Sequence, residues 1–157
     1  MTASEQGAVK VTRMFDFPRE SVFRMWTDSK ELAKWWGPEG CVNVLSEVDP
    51  KPGGKMRVDQ RSPHGELSSF KATIEKITPL ELLVYRYESP GTTEEYGGFS
   101  PWEAIVTVTF EELGPGRTQV NVVTQVVAGP LSERQSLMDA YGEGWGQSLT
   151  KLQEALR

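Results

Sequence analysis

The stretch Ser132–Leu156, SERQSLMDAYGEGWGQSLTKLQEAL, is the longest run of helical period in the sequence and decides the fold. Leu137, Tyr141, Trp145, Leu149, Leu152 and Leu156 recur at spacings of three and four, so they form one stripe of a long amphipathic helix. Ser132 and Gln135 have the spacing of a capping box at its start. Asp139 and Glu143 fall off the stripe and belong to the solvated face. The middle of the helix carries Gly142, Gly144 and Gly146, each costing about 0.8–1 kcal/mol relative to alanine in a helix interior. Either a sheet approaches closely there or a cavity needs the space. The run Gly142-Glu143-Gly144-Trp145-Gly146 imitates a dinucleotide fingerprint, but that motif follows a strand, whereas this one lies inside a helix.

Upstream the period changes to two. Trp102, Ala104, Val106, Val108 and Phe110 alternate with Glu103, Ile105, Thr107, Thr109 and Glu111, the clearest strand in the chain. Gly114-Pro115-Gly116 turns it into a strand over about 117–127 with Val120, Val122 and Val126 inward. Before these lie a strand marked by Val42, Val44 and Val48, one with Met56 and Val58 opposite Lys55, Arg57, Asp59 and Arg61, and one with Phe70, Ala72 and Ile74 on a single face. Leu83, Tyr85 and Tyr87 then share a face of the next strand. Ser89 to Pro101, rich in glycine and proline around Tyr96 and Phe99, reads as a long mobile loop able to gate a pocket.

The chain opens with a strand over Ala8 to Phe17, whose apolar face, Val9, Val11, Phe15 and Phe17, is interrupted by Arg13. A buried Arg13 needs a partner. Pro18 starts a helix carrying Val22, Phe23 and Trp26, and Asp28 with Glu31 has the form of a capping box for a second short helix. That second helix leads into Ala33-Lys34-Trp35-Trp36-Gly37-Pro38, where glycine and proline stop it. Neighbours on a helix point about 100° apart, so one indole serves the core and the other faces a second surface, a cleft or a partner.

Assembled, the elements predict an α+β fold in one domain over residues 1–157, with its core over about 8–156. A curved antiparallel sheet of about seven strands holds a long C-terminal helix, and two short helices follow strand one. The net charge of -5 and the scattered basic residues argue against nucleic-acid binding. The single cysteine, Cys41, excludes an internal disulfide, and with one histidine, His64, the usual zinc sets cannot be assembled. No stretch has the apolar length of a membrane span or a signal peptide, so a cytoplasmic protein without metal or cofactor is expected.

Thr12 to Phe23, Leu32 to Pro38, Pro52 to Met56 and the late Gly144-Trp145 before Leu149 and Leu152 stand in an order and spacing that resembles the Hsp90-ATPase-activator-like family. The resemblance covers about Ala8 to Leu156. It implies the helix-grip fold of the START/Bet v 1-like superfamily, with a hydrophobic pocket between the sheet and the C-terminal helix, entered near the two short helices. It also implies a chaperone partner, although eukaryotic activators of this type engage the chaperone through an additional N-terminal domain for which the residues before Ala8 leave no room. Members of the family often pair, so a homodimer is among the assemblies it allows.

Trp35, Trp36, Met56, Phe70, Tyr85, Tyr87, Trp102, Tyr141 and Trp145 are the candidate ligand-binding residues, because their assigned faces converge on one interior. Tyr85, Tyr87, Trp102, Tyr141 and Trp145 are expected in the walls and Trp35 and Trp36 near the mouth. No catalytic residue is expected: His64 sits in a Pro-His-Gly turn and Cys41 has no histidine near it in sequence. Three functions are compatible with this reading. The first is a non-catalytic binder of a small hydrophobic or aromatic molecule, and the second a protein-interaction or co-chaperone-like module acting through the exposed part of the Trp35-Trp36 corner and the Ser89 to Pro101 loop. The third is a cyclase- or hydrolase-type enzyme acting on a bulky hydrophobic substrate through tyrosine or arginine groups, with Arg13 as the charge to watch.

Overall fold

The computed structural model describes residues 8–37, 40–94 and 97–157. Strand β1 (Ala8–Phe15) is followed by helices α1 (Arg19–Thr27) and α2 (Ser29–Leu32). Six strands come next, β2 (Val42–Val48), β3 (Lys55–Arg61), β4 (Leu67–Thr78), β5 (Leu82–Ser89), β6 (Trp102–Gly114) and β7 (Arg117–Ala128), and then helix α3 (Arg134–Leu156).

The strands form one seven-stranded antiparallel sheet in the order β1-β7-β6-β5-β4-β3-β2. From β2 to β7 the chain is a meander in which each strand pairs with the next, as the Gly- and Pro-rich connections predict. Strand β1 completes the sheet by pairing with β7, Val11 opposite Val122. Helix α3 packs against β1 and β7, and its Leu137, Met138, Trp145, Leu149 and Leu152 are buried. Arg13, the residue that interrupts the apolar face of β1, donates to the carbonyl of Gly146 and to Thr150 Oγ1, each at 3.2 Å. Its charge is therefore spent on fastening β1 to α3.

Several local expectations are corrected. Helix α2 ends at Leu32, so Trp35 and Trp36 lie in the turn beyond it. Asp28 Oδ1 accepts from the backbone N–H groups of Lys30 and Glu31, but the Glu31 carboxylate turns to Lys34 Nζ at 3.0 Å instead of completing the box. No side-chain cap forms at the start of α3: a single 3-10 turn (Leu131–Glu133) precedes it, and Gln135 Nε2 donates to Asp139 Oδ1. The valines that mark β2 do not all serve the core, since Val42 and Val44 are 61% and 50% exposed on this edge strand. On the face of β3 opposite Met56 and Val58, Asp59 is buried: Arg57 and Ser69 both donate to its carboxylate, and these bonds, Arg57 foremost, hold its pKa below the ordinary range.

The buried apolar side chains divide into two clusters. The larger contains Phe15, Trp26, Trp35, Trp36, Tyr85 and Trp145 with the inner residues of β3 to β7. The smaller contains Trp102, Ala104, Val126, Leu137 and Met138. No helix among the described residues is long and apolar enough to cross a membrane.

Candidate ligand cavity

Where the two clusters part, the interior is hollow. A cavity of about 560 Å³ lies between the inner face of β4, β5 and β6 and the middle of α3, with Trp36 and Tyr85 of one cluster and Trp102 and Leu137 of the other in its wall. The volume falls within the range of small-molecule sites. Its wall is organised around a collar of aromatic rings. Trp145 meets Trp36 at a centroid distance of 5.8 Å, Trp36 meets Phe70 at 4.7 Å, Phe70 meets Tyr87 at 4.6 Å, Tyr87 meets Trp102 at 6.0 Å and Trp102 meets Tyr141 at 6.3 Å. Tyr141 and Trp145 are four residues apart on α3, so one helical turn closes the collar. Period-two patterning in the strands and period-four patterning in the helix bring five of these rings together, and the turn after α2 adds Trp36.

Of the nine candidate residues, Trp36, Phe70, Tyr85, Tyr87, Trp102, Tyr141 and Trp145 line the cavity. Trp35 and Met56 do not. Trp35 is fully buried, donates from Nε1 to the carbonyl of Met25 at 2.9 Å and packs edge-on against Trp26, while Met56 is buried in the sheet core. Trp36 is 8% exposed, so the Trp35-Trp36 corner presents no ring to a partner surface. The two neighbours still divide their work: Trp35 fills the core and Trp36 walls the cavity.

That division is fixed by the backbone of the corner. Asn43 Nδ2 and Gln60 Nε2 donate to the Trp36 carbonyl from β2 and β3, and Ser148 Oγ and Lys151 Nζ donate to the Gly37 carbonyl from α3, each of the latter at 3.1 Å. Gly37 has a φ of +94°, and a Cβ on it would collide with the Gln60 side chain. Only glycine fits this turn without strain.

Gly144, within the lining, has open space where a Cβ would stand, and so does Gly146; at Gly142 the nearest group is Val9 Cγ2 at an ordinary 3.7 Å. Close packing therefore does not explain the helix glycines, and at Gly144 the missing side chain enlarges the cavity. Sequence reasoning also missed the polar part of the wall. Gln60 follows Met56 and Val58 on the inner face of β3, a position the alternation marks, whereas Ser68 and Ser69 carry no strand signature before Phe70. At the rim, Thr93 Oγ1 donates to Glu66 Oε2 at 3.3 Å, which links the segment after β5 to the turn before β4. Phe99 from that segment lines the cavity and lies edge-on to Trp102; the expectation for Tyr96 lies outside the described residues. The backbone N–H of Thr92 donates to the Phe99 carbonyl, and the N–H of Phe99 to Thr92 Oγ1, so the segment is folded back on itself.

Burial pushes the hydroxyls of Tyr85, Tyr87 and Tyr141 above the ordinary tyrosine pKa, while hydrogen bonds from Ser89 to Tyr87 and from Trp102 to Tyr141 act in the opposite direction. All three are neutral phenols at neutral pH. His64 is exposed in the turn between β3 and β4, and neither His64, Cys41 nor Arg13 is among the lining residues.

A curved antiparallel sheet closed over a C-terminal helix, with a cavity between them, is the helix-grip architecture. The family model described as "Activator of Hsp90 ATPase homolog 1-like protein" matches residues 16–157, and the chain belongs to that family. The solution structure of a protein from Arthrobacter aurescens is similar over 99% of this chain and 89% of its own, with a TM-score of 0.78 at 19% identity. A crystal structure from Silicibacter pomeroyi, titled as a protein of the same family, has a TM-score of 0.76 at 18% identity over 95% of this chain and 96% of its own. A protein from Chromobacterium violaceum has a TM-score of 0.72 at 23% identity, over 96% of each chain. At these identities the likeness is one of fold. No protein among the curated sequences matches the chain.

Proposed function

We propose that this chain binds a small hydrophobic or aromatic molecule in the cavity between sheet and α3, without catalysing a reaction on it. The collar of six rings around about 560 Å³ carries the reading, because a space of this size in a core that could have collapsed is costly to keep empty. A general acid or base works best with a pKa near the operating pH. The wall tyrosines are shifted away from neutrality, and Arg13, the charge an enzyme would have used, is engaged with Gly146 and Thr150. Thermal unfolding with a panel of flat aromatic molecules and fatty acids tests the proposal: a binder raises the melting temperature with the logarithm of its concentration above Kd. A panel that leaves the melting temperature and tryptophan emission unchanged removes its main support.

A co-chaperone-like role is the second reading, favoured by the description of the matching family. Its surface is not the Trp35-Trp36 corner, which is buried. Retention of Hsp90 on the immobilised protein, compared between wild type and a Leu131→Ser variant that removes an exposed apolar side chain outside the cavity, tests it.

A further inference from the structure

The direction of one hydrogen bond narrows the ligand class. Trp102 Nε1 donates to the Tyr141 hydroxyl at 2.9 Å, and an indole nitrogen can only donate. The phenol oxygen is the acceptor in this bond, so its own proton points elsewhere. Tyr141 lines the cavity on α3, and Trp102 is the hydrogen-bond partner of its hydroxyl among the described residues. The phenols of Tyr85 and Tyr87 are its electrostatic neighbours, and all three hydroxyls are held neutral by burial. Trp102 thus fixes Tyr141 as a donor at the edge of an otherwise apolar collar. The charged side chain among the described lining residues is Glu66, at the rim, which repels an anion and supplies no counter-charge to one.

Resting on the reading that the cavity holds a small apolar molecule, we infer that its ligands are uncharged aromatic compounds bearing an acceptor oxygen, and that Tyr141 selects them by donating its hydroxyl proton to that oxygen. A ketone, ester or quinone oxygen meets the requirement, a matched hydrocarbon leaves the proton without a partner, and a carboxylate brings a charge that the wall does not balance.

Three probes of one shape separate these cases: 2-acetylnaphthalene, 2-isopropylnaphthalene and 2-naphthoate, with the full-length protein titrated into each and heat measured. The ketone is expected to bind about fivefold tighter than the hydrocarbon, the equivalent of one net hydrogen bond, and tighter than the carboxylate. Tyr141→Phe brings the ratio of ketone to hydrocarbon affinity close to one. Trp102→Phe removes the indole donor and frees the Tyr141 hydroxyl to turn, so it is expected to lower the ratio without bringing it to one; a ratio left at the wild-type value overturns the role of Trp102. Equal binding of ketone and hydrocarbon by the wild type, or a ratio unchanged by Tyr141→Phe, overturns the role of Tyr141. Tight binding of 2-naphthoate overturns the exclusion of anions. If the hydrocarbon binds and only the selectivity is missing, the cavity proposal stands and this inference fails; binding of none of the three overturns both.

Discussion

Lys151 on α3 donates from Nζ to the carbonyl of Gly37 at 3.1 Å, and by that bond the C-terminal helix holds the turn that carries Trp36. Ser148, one helical turn earlier, reaches the same oxygen at 3.1 Å. The sheet secures the other side of the turn through Asn43 and Gln60. Trp36 thereby stands as a fixed wall of the cavity between elements distant in sequence.

This arrangement makes Gly37 a sensitive position. Gly37→Ala forces a side chain onto a left-handed backbone and against Gln60, and is expected to cost about 1–3 kcal/mol. Urea unfolding should show the loss as a lower midpoint with an unchanged slope.

Gly144→Ala has the opposite sign. The added Cβ meets nothing within 4 Å, so the helix should gain about 0.8–1 kcal/mol, a rise of roughly 2–4 °C in melting temperature. Because Gly144 lines the cavity, the same change should weaken binding of a molecule that fills it. A stabilised variant that binds as well as the wild type would show that the space at Gly144 does not serve the ligand.

The tyrosines predict an alkaline signature. Their folded-state pKa values lie above the unfolded value of about 10, so each contributes stability that is fully present below about pH 10 and is lost as the pH rises toward the folded value. Absorbance at 295 nm should show Tyr85, Tyr87 and Tyr141 remaining protonated beyond pH 10 in the folded protein and ionising together when it unfolds. Independent titration of all tyrosines near pH 10 in protein that is still folded would contradict their burial.

Much of the fold was legible because burial imposes a period. The alternation from Trp102 to Phe110 and the stripe from Leu137 to Leu152 both specify their element and its inner face, and the structure buries those faces. Pairing of β1 with β7 was not legible, since register between strands far apart in sequence depends on the whole sheet. The capping expectations failed where a competing partner took the side chain: Glu31 bonds Lys34, and Gln135 bonds Asp139. For the cavity, facing direction identified most of the rings but not their depth. Trp35 and Met56 point inward as the wall residues do, yet sit in the filled core behind it. Depth is a property of three-dimensional packing that a one-dimensional pattern does not carry.

The five tryptophans provide the most direct test of the central claim, because Trp36, Trp102 and Trp145 line the cavity whereas Trp26 and Trp35 do not. Each indole N–H gives its own signal in a nitrogen–proton correlation spectrum. On titration with 2-acetylnaphthalene, the signals of Trp36, Trp102 and Trp145 should move together and saturably while those of Trp26 and Trp35 hold nearly still. Shifts confined to Trp26 and Trp35, or no saturable shift of any indole, would contradict a ligand-binding cavity between the sheet and the C-terminal helix.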